Sequence, residues 1–209
     1  MQQLMLATTN AGKIAELCSL LEKQLDLSQI MLLTPGDWPV LLPEVVEDGA
    51  TFAENALLKA QALAKATGLI ALADDTGLCV DALGGGPGLH SARWAGPNTT
   101  DAERNAFLLT KMRDVPEEKR QAQFVCVVAL ATPNGQSVTA EGMCAGIVLT
   151  EPTGNGGFGY DPLFLLPQFQ RTMAQLTAEE KNAVSHRAMA ITKIASFLPD
   201  FFIIDRLEG

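Results

Sequence analysis

The sequence has few cysteines, few aromatic residues and no long hydrophobic segment. Its 209 residues include four cysteines, two tryptophans and a single tyrosine. No Cys-x-x-Cys pair is present, which excludes a zinc site of the usual spacing, and so few cysteines in a chain of this length argue against a disulfide framework. No apolar run approaches the ~20 residues of a membrane-spanning helix. We therefore expect reduced thiols, a cytoplasmic location and no membrane partner.

Positive charge is also scarce. The chain has 15 Lys and Arg against 24 Asp and Glu, a net charge of −9 at pH 7. A protein that coats nucleic-acid backbone needs a basic surface, so no nucleic-acid polymer is expected as a partner. A single nucleotide is still compatible with this charge, because a metal ion and a few lysines can balance it. The N-terminus lacks the basic start and long apolar core of a signal peptide, and it predicts a first strand instead.

Hydrophobic residues make up 47% of the chain, enough for the core of a full domain. Strand–helix units come first, and a long hairpin and further helices follow. Residues 121–132 and 136–149 predict two long strands, and Pro133-Asn134-Gly135 supplies the turn between them. We expect a single domain over residues 1–209, of the α/β class, with a mixed twisted sheet and two lobes that flank a central cleft.

An acidic pair occupies the most distinctive position in the sequence. The apolar run from Leu69 to Ala73 predicts a buried strand, which is expected to stop at Asp74 and Asp75. Adjacent carboxylates at the end of a buried strand need compensation, and Mg²⁺ binds one or two carboxylates together with water and phosphate oxygens. The alternative is that the two residues cap a turn, where aspartate is common.

A polar loop and a helix follow the first strand. Residues 4–7 predict the strand, residues 8–13 the loop, and apolar residues from Ile14 to Leu21 recur at helical spacing. A helix N-terminus offers free N–H groups and a partial positive charge, which favour an anion. Lys13 adds a full charge. An ordinary strand–helix turn capped by Asn10 is the alternative.

Three Thr-x-x-Glu sequences, starting at Thr51, Thr100 and Thr177, predict capped helix starts. On the helix after Thr51, Asn55 and Lys59 lie four residues apart on one face. The alternative to a functional role is an ordinary surface pair.

A glycine-rich segment, residues 154–162, carries Phe158, Tyr160 and Asp161. Aromatic rings in so flexible a segment suit stacking on a nucleotide base, which is worth about 1–3 kcal/mol per base. Packing of the segment against the core is the alternative.

Near the C-terminus, Ser185 can cap a new helix that starts at His186. In one unbroken helix Lys181 and His186 would point roughly 140° apart. A break at Ser185 would let Lys181, His186 and Arg187 converge on one ligand. The alternative is two solvated cations and an ordinary, partly buried histidine.

Five ordered stretches resemble the Ham1-like noncanonical purine nucleoside triphosphate pyrophosphatases, also called inosine triphosphate pyrophosphatases. They are TTNAGK at 8–13, TFAENALLKA at 51–60, ADDTGL at 73–78, GGFGYDP at 156–162 and EKNAVSHR at 180–187. The resemblance implies a homodimeric, Mg²⁺-dependent hydrolase of nucleotide metabolism. Such enzymes convert ITP, dITP and XTP to the monophosphate and pyrophosphate by attack of water on the α-phosphorus, which clears deaminated purines from the nucleotide pool.

The resemblance also implies residue roles. Asp75 would be the proton acceptor and a metal ligand, and Phe158 would stack on the base. Asp161, Lys181, His186 and Arg187 would read the edge of the base. The full set of substrate-binding positions carried over is Thr8, Thr9, Asn10, Ala11, Gly12, Lys13, Lys59, Thr76, Phe158, Gly159, Tyr160, Asp161, Lys181, His186 and Arg187.

Some positions depart from the family pattern or stay open. Thr76 stands where many members have serine, which keeps the hydroxyl. His90 stands where tyrosine is frequent, and no role is assigned to it. Glu44 is the expected second metal ligand, with Glu47 as the alternative. Two other functions are compatible with the motifs: release of the γ-phosphate, and a nucleotide-sensing module without turnover.

Overall fold

The structure is a computed structural model that describes residues 1–208. These residues form seven strands and six α-helices. The strands are β1 (Gln2–Leu6), β2 (Ile30–Leu33), β3 (Ile70–Val80), β4 (Gln121–Ala131), β5 (Ser137–Val148), β6 (Phe164–Leu166) and β7 (Arg171–Thr172). The helices are α1 (Ala11–Gln24), α2 (Phe52–Thr67), α3 (Asp101–Lys111), α4 (Ala178–Val184), α5 (His186–Ala195) and α6 (Leu198–Glu208).

The strands form one mixed sheet in the order β2-β1-β3-β4-β5-β6-β7. β1 runs parallel to β2 and β3, with Leu4 opposite Leu32 and Ile70. Parallel strands need a crossover connection, which α1 provides between β1 and β2. β6 pairs antiparallel with β5 and β7. The predicted α/β class with a mixed sheet is confirmed.

The predicted hairpin is present. Thr132 N–H donates to the carbonyl of Gln136 at 2.9 Å, which closes the turn between β4 and β5. Gly135 has a φ of 93°, a conformation that glycine adopts without strain. Turn chemistry therefore fixed the pairing of β4 with β5.

The chain divides into two compact units. The first unit comprises Met1–Asp75, Cys126–Gly142 and the described chain from Arg187 onward. The second unit comprises Thr76–Val125 and Met143–His186. The expectation of one domain with a central cleft stays a prediction.

In the first unit, helices cover both faces of the sheet. Ile70 and Leu72 of β3 belong to a core cluster with residues of α1 and α5, whereas Ala71 and Ala73 belong to a cluster with residues of α2. Successive side chains of a strand point to opposite faces, which explains the division. The same alternation continues into the acidic pair, so its two carboxylates lie on different faces.

β3 is longer than predicted, and the expectation of a strand that stops at Ala73 is wrong. The strand continues through the acidic pair to Val80. Two features allow this. Basic side chains compensate the carboxylates, and Gly77 lets the backbone pass close to the next segment, since a Cβ there would lie 2.2 Å from the carbonyl oxygen of Gly88.

Replacing Gly77 by alanine should therefore destabilise the protein. The added methyl overpacks a rigid backbone contact, which typically costs about 1–3 kcal/mol of unfolding free energy. Urea denaturation of Gly77→Ala would measure the loss. Gly36→Ala is the matched control, because a Cβ at Gly36 meets only Thr34 Oγ1 at 3.6 Å. Equal stability of the two variants would contradict the argument.

The three predicted helix starts are present, with one difference. Thr100 and Thr177 each form a complete reciprocal capping box. At Thr51 the hydroxyl accepts from Glu54 N–H at 3.1 Å, but the Glu54 carboxylate accepts from Ala50 N–H instead of closing the box on Thr51.

Residues 1–208 contain no helix that is both long and apolar enough to cross a membrane. The four cysteines are free thiols. Cys126 and Cys144 are buried, and the other two are half-buried.

Candidate active site

Asp74 lies on the face of the sheet that α1 and α5 cover. Its fully buried carboxylate pairs with Lys13 Nζ at 3.0 Å and with Arg187 Nη2 at 3.1 Å. Arg187 is 1% exposed and also pairs with Glu16 of α1. Burial by itself lowers the pKa of Arg187, but Asp74 and Glu16 outweigh burial and raise that pKa above its usual value. Arg187 is thus a fixed cation that holds two carboxylates.

Asp75 lies on the opposite face, toward α2. It accepts from Lys59 Nζ at 3.0 Å and from Asn55 Nδ2 at 3.3 Å. Asn55 is 1% exposed, and its Oδ1 accepts from Gly49 N–H at 2.9 Å, which fixes the amide. Asn55 and Lys59 are therefore not a surface pair. One turn of α2 brings both side chains to the same carboxylate.

The electrostatics of this face favour proton uptake by Asp75. Burial raises the pKa of the Asp75 carboxyl, and Lys59 only partly offsets it. Burial lowers the pKa of Lys59, but Asp75, Asp74 and Glu47 outweigh burial and raise it. Lys59 stays charged, while Asp75 is a stronger base than an exposed aspartate.

The N-terminus of α1 belongs to the same unit. Asn10 caps the helix, and its Oδ1 accepts from Lys13 N–H at 3.0 Å. The Thr8 hydroxyl accepts from Asn10 N–H at 3.2 Å, and the first turn contains no acidic residue. The segment 8–13 therefore combines an exposed helix N-terminus with Lys13, an arrangement suited to an anion.

The glycine-rich segment forms a second cluster, within the second unit. Asp161 Oδ2 pairs with Lys181 Nζ at 2.5 Å and accepts from Phe158 N–H at 3.0 Å. Lys181 Nζ lies 4.9 Å from the centroid of the half-buried Phe158 ring. Phe158, Asp161 and Lys181 are thus brought together, and their role in binding a base, which the resemblance implies, stays a prediction.

Tyr160 is buried. Its side chain packs in the hydrophobic core of the second unit, and its hydroxyl donates to the Ser91 carbonyl at 3.0 Å. Burial raises the pKa of Tyr160 to about 12. The side chain of Tyr160 therefore serves packing.

The predicted break before His186 is present. α4 ends at Val184, Ser185 is extended, and α5 begins at His186. The His186 ring is 3% exposed and stacks on Phe124, with the centroids 4.7 Å apart and the planes 17° from parallel. Lys181 and His186 belong to the second unit, whereas Arg187 is held in the first unit. Convergence of all three on one ligand stays a prediction.

The two glutamates proposed as the second metal ligand differ in position. Glu44 is exposed. Glu47 is half-buried and pairs with Lys59 Nζ at 3.0 Å, so Lys59 bridges Glu47 and Asp75. Within residues 1–208, no group of three or more His, Cys, Asp or Glu side chains is arranged to hold a metal. The oxygen donors present suit Mg²⁺, which is held in many sites by one or two carboxylates with substrate phosphates.

Sequence reasoning missed three polar contacts. Glu16 follows Lys13 by three positions and lies on the same face of α1, which was the available signal. Asp101 and Asn105 were placed only on a helix, although both contact Gly159. The only signal in the sequence was their spacing of four residues, which places both side chains on one face of the helix.

A mixed sheet that places two buried carboxylates beside lysines and a helix N-terminus defines a class of α/β protein suited to bind phosphate with a divalent cation. The family model described as the Ham1 family matches residues 4–197. The chain belongs to the Ham1 family, which confirms the family expected from the five motifs.

Similar proteins cover almost the whole chain. A dITP/XTP pyrophosphatase of Desulforamulus reducens is 48% identical over 201 residues, which are 96% of this chain and 98% of that protein. A dITP/XTP pyrophosphatase of Streptomyces coelicolor is 51% identical over 190 residues, 91% of this chain and 94% of that protein. The solved structure of a HAM1 protein from Coxiella burnetii superposes with a TM-score of 0.84 at 42% identity, over 96% of this chain and all of that one.

Proposed function

We propose that this protein hydrolyses noncanonical purine nucleoside triphosphates, namely dITP, ITP and XTP, to the monophosphate and pyrophosphate. The observation that carries the proposal is the buried Asp75, held by Lys59 and Asn55 beside the cations of the first unit. A base, lysines and a helix N-terminus are the parts that cleavage of a phosphoric anhydride needs. Family membership and relatives named dITP/XTP pyrophosphatases supply the substrate class.

The triphosphate would bind to the first unit. The segment 8–13 offers backbone N–H groups, and Lys13 and Lys59 offer charge to a substrate with about four negative charges. Both lysines now neutralise aspartates. When the substrate binds, they can turn toward phosphate oxygens if another cation takes over the carboxylates.

Mg²⁺ fits that requirement. Asp75 and Glu47 would hold it, since Lys59 already joins these two carboxylates at 3.0 Å each. Glu47 therefore replaces Glu44 as our proposed second ligand. When bound, Mg²⁺ supplies positive charge that polarises phosphate oxygens and makes water more acidic.

Asp75 would act as the general base. Burial raises the pKa of the metal-free carboxyl, whereas bound Mg²⁺ would lower it, so the position of Asp75 rather than its basicity suits it to this role. Asn55 holds one carboxylate oxygen, so the group is oriented before the substrate arrives. The proton of the attacking water would pass to Asp75 as water adds to the α-phosphorus and pyrophosphate leaves.

The base would bind to the second unit. Phe158 offers a ring for stacking, and Lys181 can donate to the six-position oxygen of hypoxanthine or xanthine, where adenine carries an amino group. We give Arg187 a different role from the one the resemblance implies: it supports Asp74.

The family resemblance further supports a homodimer that acts on the cytoplasmic nucleotide pool. Sedimentation of the purified protein would measure its oligomeric state, and a monomer at all concentrations would contradict this part.

A panel of nucleoside triphosphates with Mg²⁺, with products identified by chromatography, tests the function. We expect dITP, ITP and XTP to give pyrophosphate, and dATP to be slower by up to about 10⁴-fold in kcat/KM, because buried donors are left unpaired against its amino group. Orthophosphate as the first product would indicate cleavage at the γ-phosphate instead. Tight dITP binding without any product would indicate a sensing module.

A further inference from the structure

Gly159 is held on both sides by one helix. Its N–H donates to Asp101 Oδ2 at 2.6 Å, and its carbonyl accepts from Asn105 Nδ2 at 3.0 Å. Asp101 and Asn105 lie four residues apart at the start of α3, on one face of the helix. The two peptide groups that flank Gly159 are therefore fixed by two side chains of a rigid element.

The residues next to Gly159 in the chain belong to the proposed base site. Phe158 immediately precedes Gly159, and the Phe158 N–H is bound by Asp161. Gly159 has a φ of 62°, a left-handed conformation that is only one of several open to an unrestrained glycine. With both of its peptide groups bonded, the backbone path from Phe158 to Asp161 is fixed before any ligand arrives.

Burying the side chain of Asn105 lowers the stability of the fold, so packing alone does not explain why an asparagine is present. It is 6% exposed, and its Oδ1 has no hydrogen-bond partner within the described chain. A buried polar group without a full set of bonds destabilises a fold, and leucine would fill the same volume without that penalty. The bond to the Gly159 carbonyl is the contact of Asn105 that leucine would lose.

We propose that Asp101 and Asn105 are positioning residues that hold Phe158 and Asp161 ready for the purine base. The proposal rests on the proposed function, since it assumes that Phe158 stacks on the substrate. Binding otherwise has to order the backbone at Gly159, and the ordering entropy of one residue corresponds to about 5- to 30-fold in affinity. The effect falls on binding of ground state and transition state alike, so it appears in KM and not in kcat.

The variants are Asp101→Ala and Asn105→Leu, each of which removes one bond to Gly159. For dITP, KM should rise about 5- to 30-fold with kcat close to wild type. The inhibition constant of inorganic tripolyphosphate, which has no base, should stay unchanged. Asp101→Asn keeps an acceptor oxygen and should restore the wild-type KM. Arg104→Met is the control for the ion pair that Asp101 makes within α3.

A second measurement does not depend on activity. Hydrogen–deuterium exchange of the peptide covering residues 155–161 should be faster in Asp101→Ala and Asn105→Leu and unchanged in Arg104→Met. Unchanged exchange in the first two variants would overturn the proposal, even if their thermal stability fell.

The Phe158→Ala variant distinguishes the positioning role of Asp101 and Asn105 from the proposed stacking of Phe158 on the base. A raised KM in Phe158→Ala together with raised KM in the Asp101 and Asn105 variants supports the proposal. A raised KM in Phe158→Ala alone overturns the positioning role and leaves the proposed function intact. An unchanged KM in Phe158→Ala removes base stacking from the proposed function, and the positioning role falls with it.

Discussion

The Asp75→Asn variant is expected to lose turnover of dITP by about 10²- to 10⁴-fold, the usual contribution of a general base. Asparagine keeps the shape of the side chain but accepts a proton far more weakly. At saturating Mg²⁺ the loss should appear in kcat, because the groups proposed to bind the triphosphate, Lys13 and Lys59, are unchanged, whereas the proposed metal ligand and base is altered. Steady-state kinetics with pyrophosphate detection would measure it.

The same variant should fold normally. The pKa of Asp75 is raised in the folded protein, which means that the fold disfavours the charged carboxylate rather than depending on it. Lys59 keeps Glu47 as a partner in the variant. Calorimetric binding of dITP should therefore persist. Asp81→Asn, at an exposed position, is the control. Near-normal turnover in Asp75→Asn would remove Asp75 from the mechanism.

Local signals in the sequence predicted the elements that local chemistry determines. The Pro-Asn-Gly turn at 133–135 fixed the β4–β5 hairpin, and the Thr100 and Thr177 caps fixed the starts of α3 and α4. Ser185 ended one helix and allowed the next to begin. In each case the deciding residues lie within a few positions of the feature they determine.

Local sequence signals could not predict which cations neutralise Asp74 and Asp75. An Asp-Asp-Thr-Gly sequence has the composition of a turn, yet β3 runs straight through it. The cations that make this acceptable come from 16 positions away for Lys59 and 113 positions away for Arg187. Only the folded chain shows which cation meets which carboxylate, and strand alternation alone separates the two faces.

For a related reason, the sequence could not decide whether Glu44 or Glu47 is the second metal ligand. Both residues lie in the irregular stretch between β2 and α2, where no helical or strand period indicates which side chain faces inward. The contact of Glu47 with Lys59 depends on the path of that stretch. The bond between α3 and Gly159 likewise joins residues 54 and 58 positions apart, so its donor and acceptor looked like ordinary helix surface.

Arg187 carries the second large expected effect, and here the geometry opposes the role that the resemblance implies. Arg187→Met should destabilise the protein by up to about 3–5 kcal/mol, because Asp74 and Glu16 lose the buried cation that they share and only the less buried Lys13 stays paired with Asp74. Urea denaturation would measure the change. Arg113→Met, at an exposed arginine, should be close to neutral.

A double-mutant cycle and a substrate ratio separate support of Asp74 from recognition of the base. Asp74→Asn combined with Arg187→Met should be less destabilising than the sum of the single variants, by about 0.5–3 kcal/mol, because the two side chains share one interaction. If Arg187 acts through Asp74, kcat should fall by the same factor for dITP and for dGTP, so the ratio of the two kcat values should equal that of the wild type. Loss of that ratio at unchanged stability would show that Arg187 reads the base. The 3.1 Å contact between two buried, oppositely charged groups favours the first result, since a guanidinium that is 1% exposed and bonded to Asp74 and Glu16 has little surface left for a purine.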